Sequence, residues 1–416
     1  MLLSPNPLSL LCALLLCLPL AIVFTTNTTH TTTTTTPIIL DIPMPLPKNI
    51  TIHENLNKTS SLLSPSLNIQ DDELHKVITR EKRRPIGPNK KSLLTSLSVT
   101  LSSPSPSLWQ ENRHDALFKA AMRVNAKPTR PKKVAFMFLT NKPLPFAPLW
   151  ESYFNQTTTS KNLFNIYVHA DPTFPYHAPF SGVFFNRVIR SQPTRRFSPT
   201  LTAAARRLLA HALLDDTSNS VFVLLSPSCI PLHSLNFTYH ALLRRGKSFV
   251  EILANEAVAY DRWAARGPHV MLPEVRLEEF RVGSQFWALT RRHARLVVSD
   301  RVLWPKFNVP CVRFDTCYPE ENYFPTLLSM WDPQGCVPAT LTHVNWTGRV
   351  DGHPRTYEAW EVGPELIRRM REDRPRYGDG DGNGDGRRDP FLFARKFAAD
   401  ALEPLMRISN GVIFRD

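Results

Sequence analysis

Two adjacent glutamates, Glu320 and Glu321, occur in the aromatic segment CYPEENYFPTLL at residues 317–328. A carboxylate in such surroundings is suited to general-base catalysis, in which it takes a proton from a hydroxyl group whose oxygen attacks a substrate. The alternative is a turn or helix start whose glutamates face the solvent. The choice depends on the residues with which this segment shares a site.

The overall composition favours a globular chain with an anionic partner. It has 416 residues, is 42% hydrophobic and carries a formal net charge of +14, which suits a phosphorylated small molecule, an anionic membrane surface or nucleic acid. Zinc-finger spacing and aromatic-basic RNA motifs are absent from the sequence, so we expect no nucleic-acid partner. No GxGxxG follows the first predicted strand, and GxxxxGK[ST], HExxH and GxSxG do not occur, which argues against dinucleotide, P-loop, metalloprotease and α/β-hydrolase chemistry.

The N-terminal part is predicted to contain no packed domain. We expect residues 1–7 to form a short cytosolic tail and the uncharged apolar run at 8–24, about 17 residues long, to form a signal-anchor transmembrane helix. A cleaved signal peptide is the alternative. Residues 25–130 are rich in Ser, Thr and Pro and are predicted to be a disordered stalk. Such a composition is also typical of O-glycosylated segments. Residues 131–416 are then a lumenal domain.

Two further features are typical of the secretory pathway. Asn-x-Ser/Thr acceptors occur at Asn27, Asn49, Asn57, Asn155, Asn236 and Asn345, and we expect glycosylation at the last three. Four cysteines lie beyond the anchor and allow two disulfides in three possible pairings, namely Cys229, Cys311, Cys317 and Cys336. The alternative is that some of them are buried free thiols, Cys229 first among them.

Strands and helices alternate in the predicted domain. Solid hydrophobic runs predict strands at 133–140, 163–171 and 221–226, with shorter candidates at 187–190, in SFVEIL and in SQFWAL. Helical spacing predicts helices at 115–125, 198–216 and 290–300. This order predicts an α/β domain with a mostly parallel sheet flanked by helices. Ligands of such sheets bind at the carboxyl ends of the strands, where Asp171 and residues 226–229 are expected.

Six segments then carry a resemblance to a known family. They are VFVLLSPSCIPL, VGSQFWALTRRHA, CYPEENYFPTLL, TLTHVNWTG, HPRTYEAWEVGPELI and FLFARKF, which occur in this order between residues 221 and 397. Together they resemble the plant branch of the core-2/I-branching β-1,6-N-acetylglucosaminyltransferase family, over about residues 133–397. The resemblance implies a single-pass type II Golgi membrane enzyme with a nucleotide-sugar-transferase (GT-A-like) fold, which transfers a sugar from a UDP-sugar to a glycan hydroxyl with inversion and without a divalent metal or other cofactor.

The resemblance also implies roles for individual residues. Glu321 matches the general base, and its neighbours Tyr318 and Tyr323 are expected to desolvate it partly and so to raise its pKa. Glu320 is expected to point elsewhere, at a helix start, and is only a secondary candidate for contact with the acceptor. Arg355 and Lys396 match the groups that hold the diphosphate, although Arg395 is an alternative to Lys396.

Other candidates are weaker. Asp171 is expected to accept hydrogen bonds from the ribose, or else only to form a turn before Pro172. Ser228 lies in the predicted acceptor loop, in which Pro227 replaces the acid of many relatives. Trp287 and Trp346 are candidates for stacking on a sugar or for core packing, and His343 is expected to be structural. No metal site is expected in the acidic insertion GDGDGNGDG at 378–386, because Pro390 occupies the place of the bidentate glutamate of a calcium loop.

The sequence leaves three functional alternatives. N-acetylglucosamine transfer follows the family name, whereas plant relatives also include UDP-glucuronate-dependent transferases acting on arabinogalactan-type chains. A second alternative is a non-catalytic module of the secretory pathway that binds glycan or nucleotide. A glycosidase comes last, because adjacent glutamates do not easily flank a sugar.

Overall fold

The computed structural model describes residues 115–156, 162–176, 180–348, 352–380 and 388–416. The predicted cytosolic tail, signal anchor and most of the predicted stalk lie outside the described residues. Within the described ranges, every helix is too short or too polar to cross a membrane.

The described part of the chain alternates between strands and helices. The strands are β1 Lys133–Thr140, β2 Phe164–Ala170, β3 Asn219–Leu225, β4 Ile230–Pro231, β5 Ser248–Phe249, β6 Ala288–Thr290, β7 Cys336–Val337, β8 Thr342–His343 and β9 Phe393–Ala394. The helices are α1 at 115–122, α2 Ala147–Phe154, α3 Thr200–Asp215, α4 Leu235–Arg244, α5 Ala259–Trp263, α6 Arg291–Ser299, α7 Leu303–Phe307, α8 Pro319–Trp331, α9 Pro364–Glu372 and α10 Leu402–Ile408.

A six-stranded sheet with the order β2-β1-β3-β6-β5-β7 forms the centre of the fold. The pairs β2–β1, β1–β3 and β5–β7 are parallel, whereas β6 runs antiparallel to both β3 and β5. The domain is therefore a mixed α/β fold with a mostly parallel sheet, as predicted. Beside it lies a small sheet with the order β4-β9-β8.

Strand β1 shows why its sequence is a solid hydrophobic run. Val134, Phe136 and Phe138 pack into the core that contains α2, α4 and the small sheet. The alternate residues, such as Ala135 and Met137, pack into the core on the other face with α3, α6 and α8. Since successive side chains of a strand point to opposite faces, a strand covered on both faces has no polar position.

The helix predictions are confirmed with small changes at the ends. The helix predicted at 198–216 is α3, which starts at Thr200 with Pro199 as the N-cap and no side-chain cap. The helix predicted at 290–300 is α6, capped by the Thr290 hydroxyl, which accepts a hydrogen bond from the His293 N–H. The helix predicted at 115–125 covers 115–122.

The three short predicted strands are only partly confirmed. The segment at 187–190 makes only the single bridge between Val168 and Val188 and is not a strand. In SFVEIL only Ser248–Phe249 forms a strand, and Leu253 makes one isolated bridge to Val282. In SQFWAL the strand begins at Ala288.

One disulfide joins Cys311 to Cys317, with a Cα–Cα distance of 6.0 Å. Cys229 and Cys336 are buried free thiols, so the two-disulfide alternative is wrong. The loop that the disulfide closes is docked by the Val312 and Arg313 N–H groups, which donate to the Ala265 carbonyl at 2.9 and 3.0 Å. It leads directly into α8.

Candidate active site

A cavity of about 810 Å³ opens at the carboxyl ends of β1 and β3, and we call it the catalytic cavity. Thr140 and Ser226, at the ends of these strands, line one side. The first turn of α8 lines another side with Glu320 and Glu321. Trp346, which is 52% exposed, lies at the rim. The position agrees with the general location of ligands in open α/β sheets.

Glu321 faces this cavity as an ion-paired carboxylate. Its Oε2 accepts a hydrogen bond from Arg262 Nη1 at 2.7 Å, and the two side chains are 34% and 17% exposed. Arg262 is itself held over the Tyr318 ring, with 4.6 Å between the guanidinium carbon and the ring centroid. No described residue makes a hydrogen bond to Oε1, so this oxygen is open to a substrate hydroxyl.

Glu320 is the desolvated member of the pair. It is 5% exposed, and its Oε2 is buried with no hydrogen-bond partner in the described part of the chain. Burial raises the pKa of Glu320 to about 8, and the neighbouring charge of Glu321 acts in the same direction. The expectation that Glu320 points away from the site is therefore wrong: it lines the same cavity and is mainly protonated at neutral pH.

A third carboxyl group, Glu251, lines the catalytic cavity from the segment after β5. Burial raises the pKa of Glu251 to about 7, whereas the charge of Arg376 lowers it and those of Glu256 and Glu321 raise it. Gly283 passes close to this residue. A Cβ at Gly283 would lie 2.1 Å from the Glu251 carbonyl oxygen, and the Gly283 N–H donates to the Glu321 carbonyl at 2.8 Å.

Positive charge reaches the cavity through arginines. The four that line it are Arg196, Arg262, Arg376 and Arg395. Arg395 lies with its guanidinium carbon 4.5 Å from the centroid of the Phe286 ring. Burial lowers the pKa of Arg395, while the charge of Glu321 acts in the opposite direction, so the charge of Arg395 interacts with that of the candidate base.

Arg355 and Lys396 lie next to residues of the cavity wall but are not among the described residues that line it. Arg355 is 41% exposed and forms a short ion pair with Glu361. Its segment meets that of Lys396, because the Tyr357 N–H donates to the Lys396 carbonyl at 2.8 Å. The structure thus brings the two segments together. Of their three basic residues Arg355, Arg395 and Lys396, Arg395 is the one that lines the cavity.

Asp171 is buried and engaged by protein groups. Its Oδ1 accepts hydrogen bonds from the N–H and hydroxyl of Thr173, and its Oδ2 accepts two from Thr194. Burial opposes ionisation, but these four bonds outweigh it and lower the pKa of Asp171. The geometry is that of the turn-forming alternative, and Thr194, not Asp171, lines the catalytic cavity.

The other candidates are placed as follows. Trp287 is 2% exposed and packs against Phe324 with 4.8 Å between ring centroids, so its ring belongs to the core and offers no face to a sugar. Ser228 is buried, and its carbonyl accepts a hydrogen bond from Phe397 N–H at 3.3 Å. His343 pairs with Asp373 at 2.9 Å.

The predicted glycosylation sites differ in accessibility. Asn155 and Asn236 are exposed at the end of α2 and at the start of α4. Asn345 is half-buried, and its amide donates to the Tyr357 hydroxyl at 3.2 Å. Modification at these positions stays a prediction.

The described ranges contain no group of three or more His, Cys, Asp and Glu side chains arranged to hold a metal ion. Most of the acidic insertion, at residues 381–387, lies outside the described residues. Asp379 accepts hydrogen bonds from the N–H groups of Ala254 and Asn255 at 2.8 and 3.1 Å. Independence from a divalent metal stays a prediction.

Sequence reasoning proposed Glu321 as a site residue, and the structure places it in the cavity, but the same reasoning did not single out Glu251 and Arg262. Arg262 lies in the five-residue helix α5 and Glu251 just after the two-residue strand β5, and elements this short have no periodicity that marks a functional position. The single local signal is the pair of charges in YDRW, at residues 260–263, which a solvent-facing helix also shows.

Comparisons with known proteins show to which family the chain is similar. A family model described as "Core-2/I-Branching enzyme" matches residues 134–371. The chain is also similar to glycosyltransferase BC10 of Oryza sativa subsp. japonica, with 29% identity over 365 residues that cover 75% of this chain and 89% of that protein. The family match includes Arg262, Glu320, Glu321 and Arg355 and ends before Arg395.

Proposed function

This chain belongs to the core-2/I-branching enzyme family and is a glycosyltransferase, so it acts on a sugar donor and an acceptor. We propose that it moves a sugar from a UDP-sugar to a glycan hydroxyl with inversion. In this proposal Glu321 is the general base. The observation that carries this proposal is the Glu321 carboxylate, fixed by Arg262 in the catalytic cavity with one oxygen open.

The proposed step is one displacement. Glu321 Oε1 takes the proton of the acceptor hydroxyl as that oxygen attacks the anomeric carbon, and the bond from this carbon to the UDP oxygen breaks. Arg262 supports the step by holding Oε2, which orients the carboxylate. Inversion follows because the attacking oxygen and the leaving group are on opposite faces of the sugar.

The charge of the cavity supports a diphosphate leaving group. Four arginines and four glutamates line the catalytic cavity, the latter being Glu251, Glu256, Glu320 and Glu321. Because the pKa of Glu320 is about 8 and that of Glu251 about 7, these two groups are wholly or partly neutral at pH 7. Positive charge then exceeds negative charge where the phosphates leave.

We assign the diphosphate to Arg395 within the cavity, with Arg355 and Lys396 at its edge. Arg355 has to exchange its pairing with Glu361 for the phosphate. With these cations in place of an ion, the reaction is proposed to need no divalent metal or other cofactor. The exposed ring of Trp346 is the proposed stacking surface for a sugar.

The remaining assignments follow the family. We propose a nucleotide-sugar-transferase (GT-A-like) fold, N-acetylglucosamine as the transferred sugar and a Golgi membrane location through a signal anchor at residues 8–24. Glucuronate transfer to arabinogalactan-type chains is the alternative. A screen of UDP-sugars for increases in the melting temperature of the purified chain distinguishes the donors, since a bound donor stabilises the folded state.

The Glu321→Gln variant tests the proposed base. The amide keeps the contact with Arg262 but cannot take a proton, so we expect kcat to fall at least about 100-fold while the KM for the donor changes little. Glu365→Gln, on the exposed face of α9, is the matched control and should retain full activity. Near-normal UDP release by the Glu321→Gln chain would refute the assignment.

A further inference from the structure

A second cavity, of about 770 Å³, lies beside the catalytic cavity. Helix α1, the N-terminal half of α3 and residues 298–308 line it. The segment at 192–201 separates the two cavities: Pro193 and Thr200 line the second one, whereas Thr194 and Leu201 line the catalytic cavity. The two spaces therefore share one wall.

Arg207 is a buried cation in this second cavity. It is 7% exposed and lines the cavity, yet no hydrogen bond or ion pair engages its guanidinium among the described residues. Burial lowers the pKa of Arg207, and the nearby charge of Arg190 lowers it further. A buried guanidinium without a partner is costly, so such groups normally have an anion beside them.

The neighbouring Arg206 shows the contrast. It is also buried, but its guanidinium donates to the Val297 carbonyl at 2.9 Å and to the Asp300 carbonyl at 3.3 Å. Its guanidinium carbon also lies 4.3 Å from the centroid of the Trp304 ring. Arg206 is thus satisfied by its surroundings, and Arg207 is not.

The acidic residues of the second cavity do not neutralise Arg207. Asp115 is exposed and pairs with Lys119 at 3.8 Å. Both carboxylate oxygens of Asp300 are occupied, since they accept hydrogen bonds from the N–H groups of Val302, Leu303 and Trp304 and from the Tyr323 hydroxyl. With Lys119, Arg206, Arg207 and Arg301 against these two acids, the lining has an excess of positive charge.

The N-terminal end of α3 adds to the positive charge of the second cavity. Thr200, Ala203, Ala204 and Arg207 line the cavity from one face of the helix. The first turn contains no acidic residue and has no side-chain cap. No acidic side chain of the first turn therefore offsets the positive end of the helix dipole, which lies at the same cavity as Arg207.

We propose that the second cavity binds an oxyanion carried on a sugar, such as the carboxylate of a uronic acid or a sulfate ester, with Arg207 as its main ligand. Phe118 and Trp304 provide aromatic lining for the sugar ring, and the volume exceeds that needed for a free ion. An extended acceptor that runs over the segment at 192–201 would place an acidic unit in this site while another unit lies in the catalytic cavity. This link to the acceptor rests on the proposed function, whereas oxyanion binding does not.

The first test uses the purified full chain, inorganic phosphate as the probe and Arg207→Met as the variant. In buffer without multivalent anions, the variant should melt at the same temperature as the wild type or higher, because it removes an unpaired buried charge. Phosphate should raise the melting temperature of the wild type saturably, by about 5 °C at a hundredfold excess over Kd. The Kd of Arg207→Met should be at least about tenfold weaker.

Three results would overturn the anion site. One is an equal phosphate response of wild type and variant, which indicates phosphate binding in the catalytic cavity or a general salt effect. Another is the absence of a response in the wild type. The third is a lower melting temperature of Arg207→Met without anion, because this would show that another part of the chain already pairs the guanidinium. Arg407→Met, an exposed substitution on α10, controls for the loss of one charge.

The second test identifies the source of the oxyanion. Acceptor oligosaccharides with and without a uronic acid are compared in transfer assays. If the acceptor carries the anion, Arg207→Met should raise the KM for the acidic acceptor at least tenfold and leave the KM for the neutral one unchanged. Equal KM effects on both acceptors would refute the acceptor assignment. If the chain shows no transfer but keeps its phosphate response, the proposed function fails and the anion site stands.

Discussion

The Glu320→Gln variant should stabilise the protein at neutral pH and not at acidic pH. Glu320 is 5% exposed, and burial raises its pKa from the ordinary value of 4.5 to about 8. The amide resembles the protonated acid in size and has no charge to desolvate. The substitution therefore removes a cost that only the ionisable residue carries.

The sign and the size of the stability change caused by Glu320→Gln follow from proton linkage. Above pH 4.5 the unfolded chain releases the Glu320 proton, whereas the folded chain keeps it until about pH 8. Because the unfolded state then binds fewer protons, this residue lowers the free energy of unfolding as the pH rises from 4.5 to 8. At about 1.4 kcal/mol per pH unit, the loss at pH 7 is on the order of 3 kcal/mol.

Urea unfolding of the wild type and of Glu320→Gln at pH 5 and pH 7.5 measures this difference. The variant should gain on the order of 3 kcal/mol at pH 7.5 and less than about 1 kcal/mol at pH 5. Glu321→Gln is the control, since its side chain is 34% exposed and paired with Arg262. If Glu320→Gln shows the same change at both pH values, or is less stable at pH 7.5, the buried protonated carboxyl is refuted.

Two further variants test the catalytic cavity. Arg395→Gln should lower kcat/KM for the UDP-sugar by about 100-fold, because it removes positive charge beside the leaving diphosphate. A larger effect of Lys396→Gln in the same steady-state assay would contradict the assignment of Arg395. Gly283→Ala should lower the free energy of unfolding by about 1–3 kcal/mol and reduce activity, because the new Cβ meets the Glu251 carbonyl oxygen at 2.1 Å. Gly363→Ala is its control, since a Cβ there meets nothing within 4 Å, and equal melting temperatures of the two variants would show that the contact is unimportant.

The main elements of the fold could be predicted because each has a local sequence pattern that is typical of a buried strand or of a helix. The run at 133–140 is apolar at each strand position but the ends, since both faces of β1 are covered. The helix over Thr200–Asp215 has both a regular apolar spacing and a defined start. The two-residue strands β5 and β7 have no such pattern, because pairing with distant strands alone defines them.

The candidate site was predictable only in part, for a similar reason. Glu321 was proposed as the base from the segment that carries the family resemblance, and the structure places it in the cavity. Adjacent residues on a helix point about 100° apart, so the sequence does not show which glutamate of the pair is buried. Packing of α8 against the core determines that Glu320 is the buried one. The partner Arg262 lies far from Glu321 in the chain, and only the folded structure brings them together.

The disulfide between Cys311 and Cys317 has a practical consequence for recombinant work. Its loop is tied to Ala265, close to Arg262, and leads into the helix that carries Glu321. The crosslink thus restrains the segments that carry both partners of the ion pair between Arg262 and Glu321, the proposed base. A bacterial cytosol keeps thiols reduced, so material made there would lack this brace, and a host that exports the chain through an oxidising compartment is the better source for kinetic measurements.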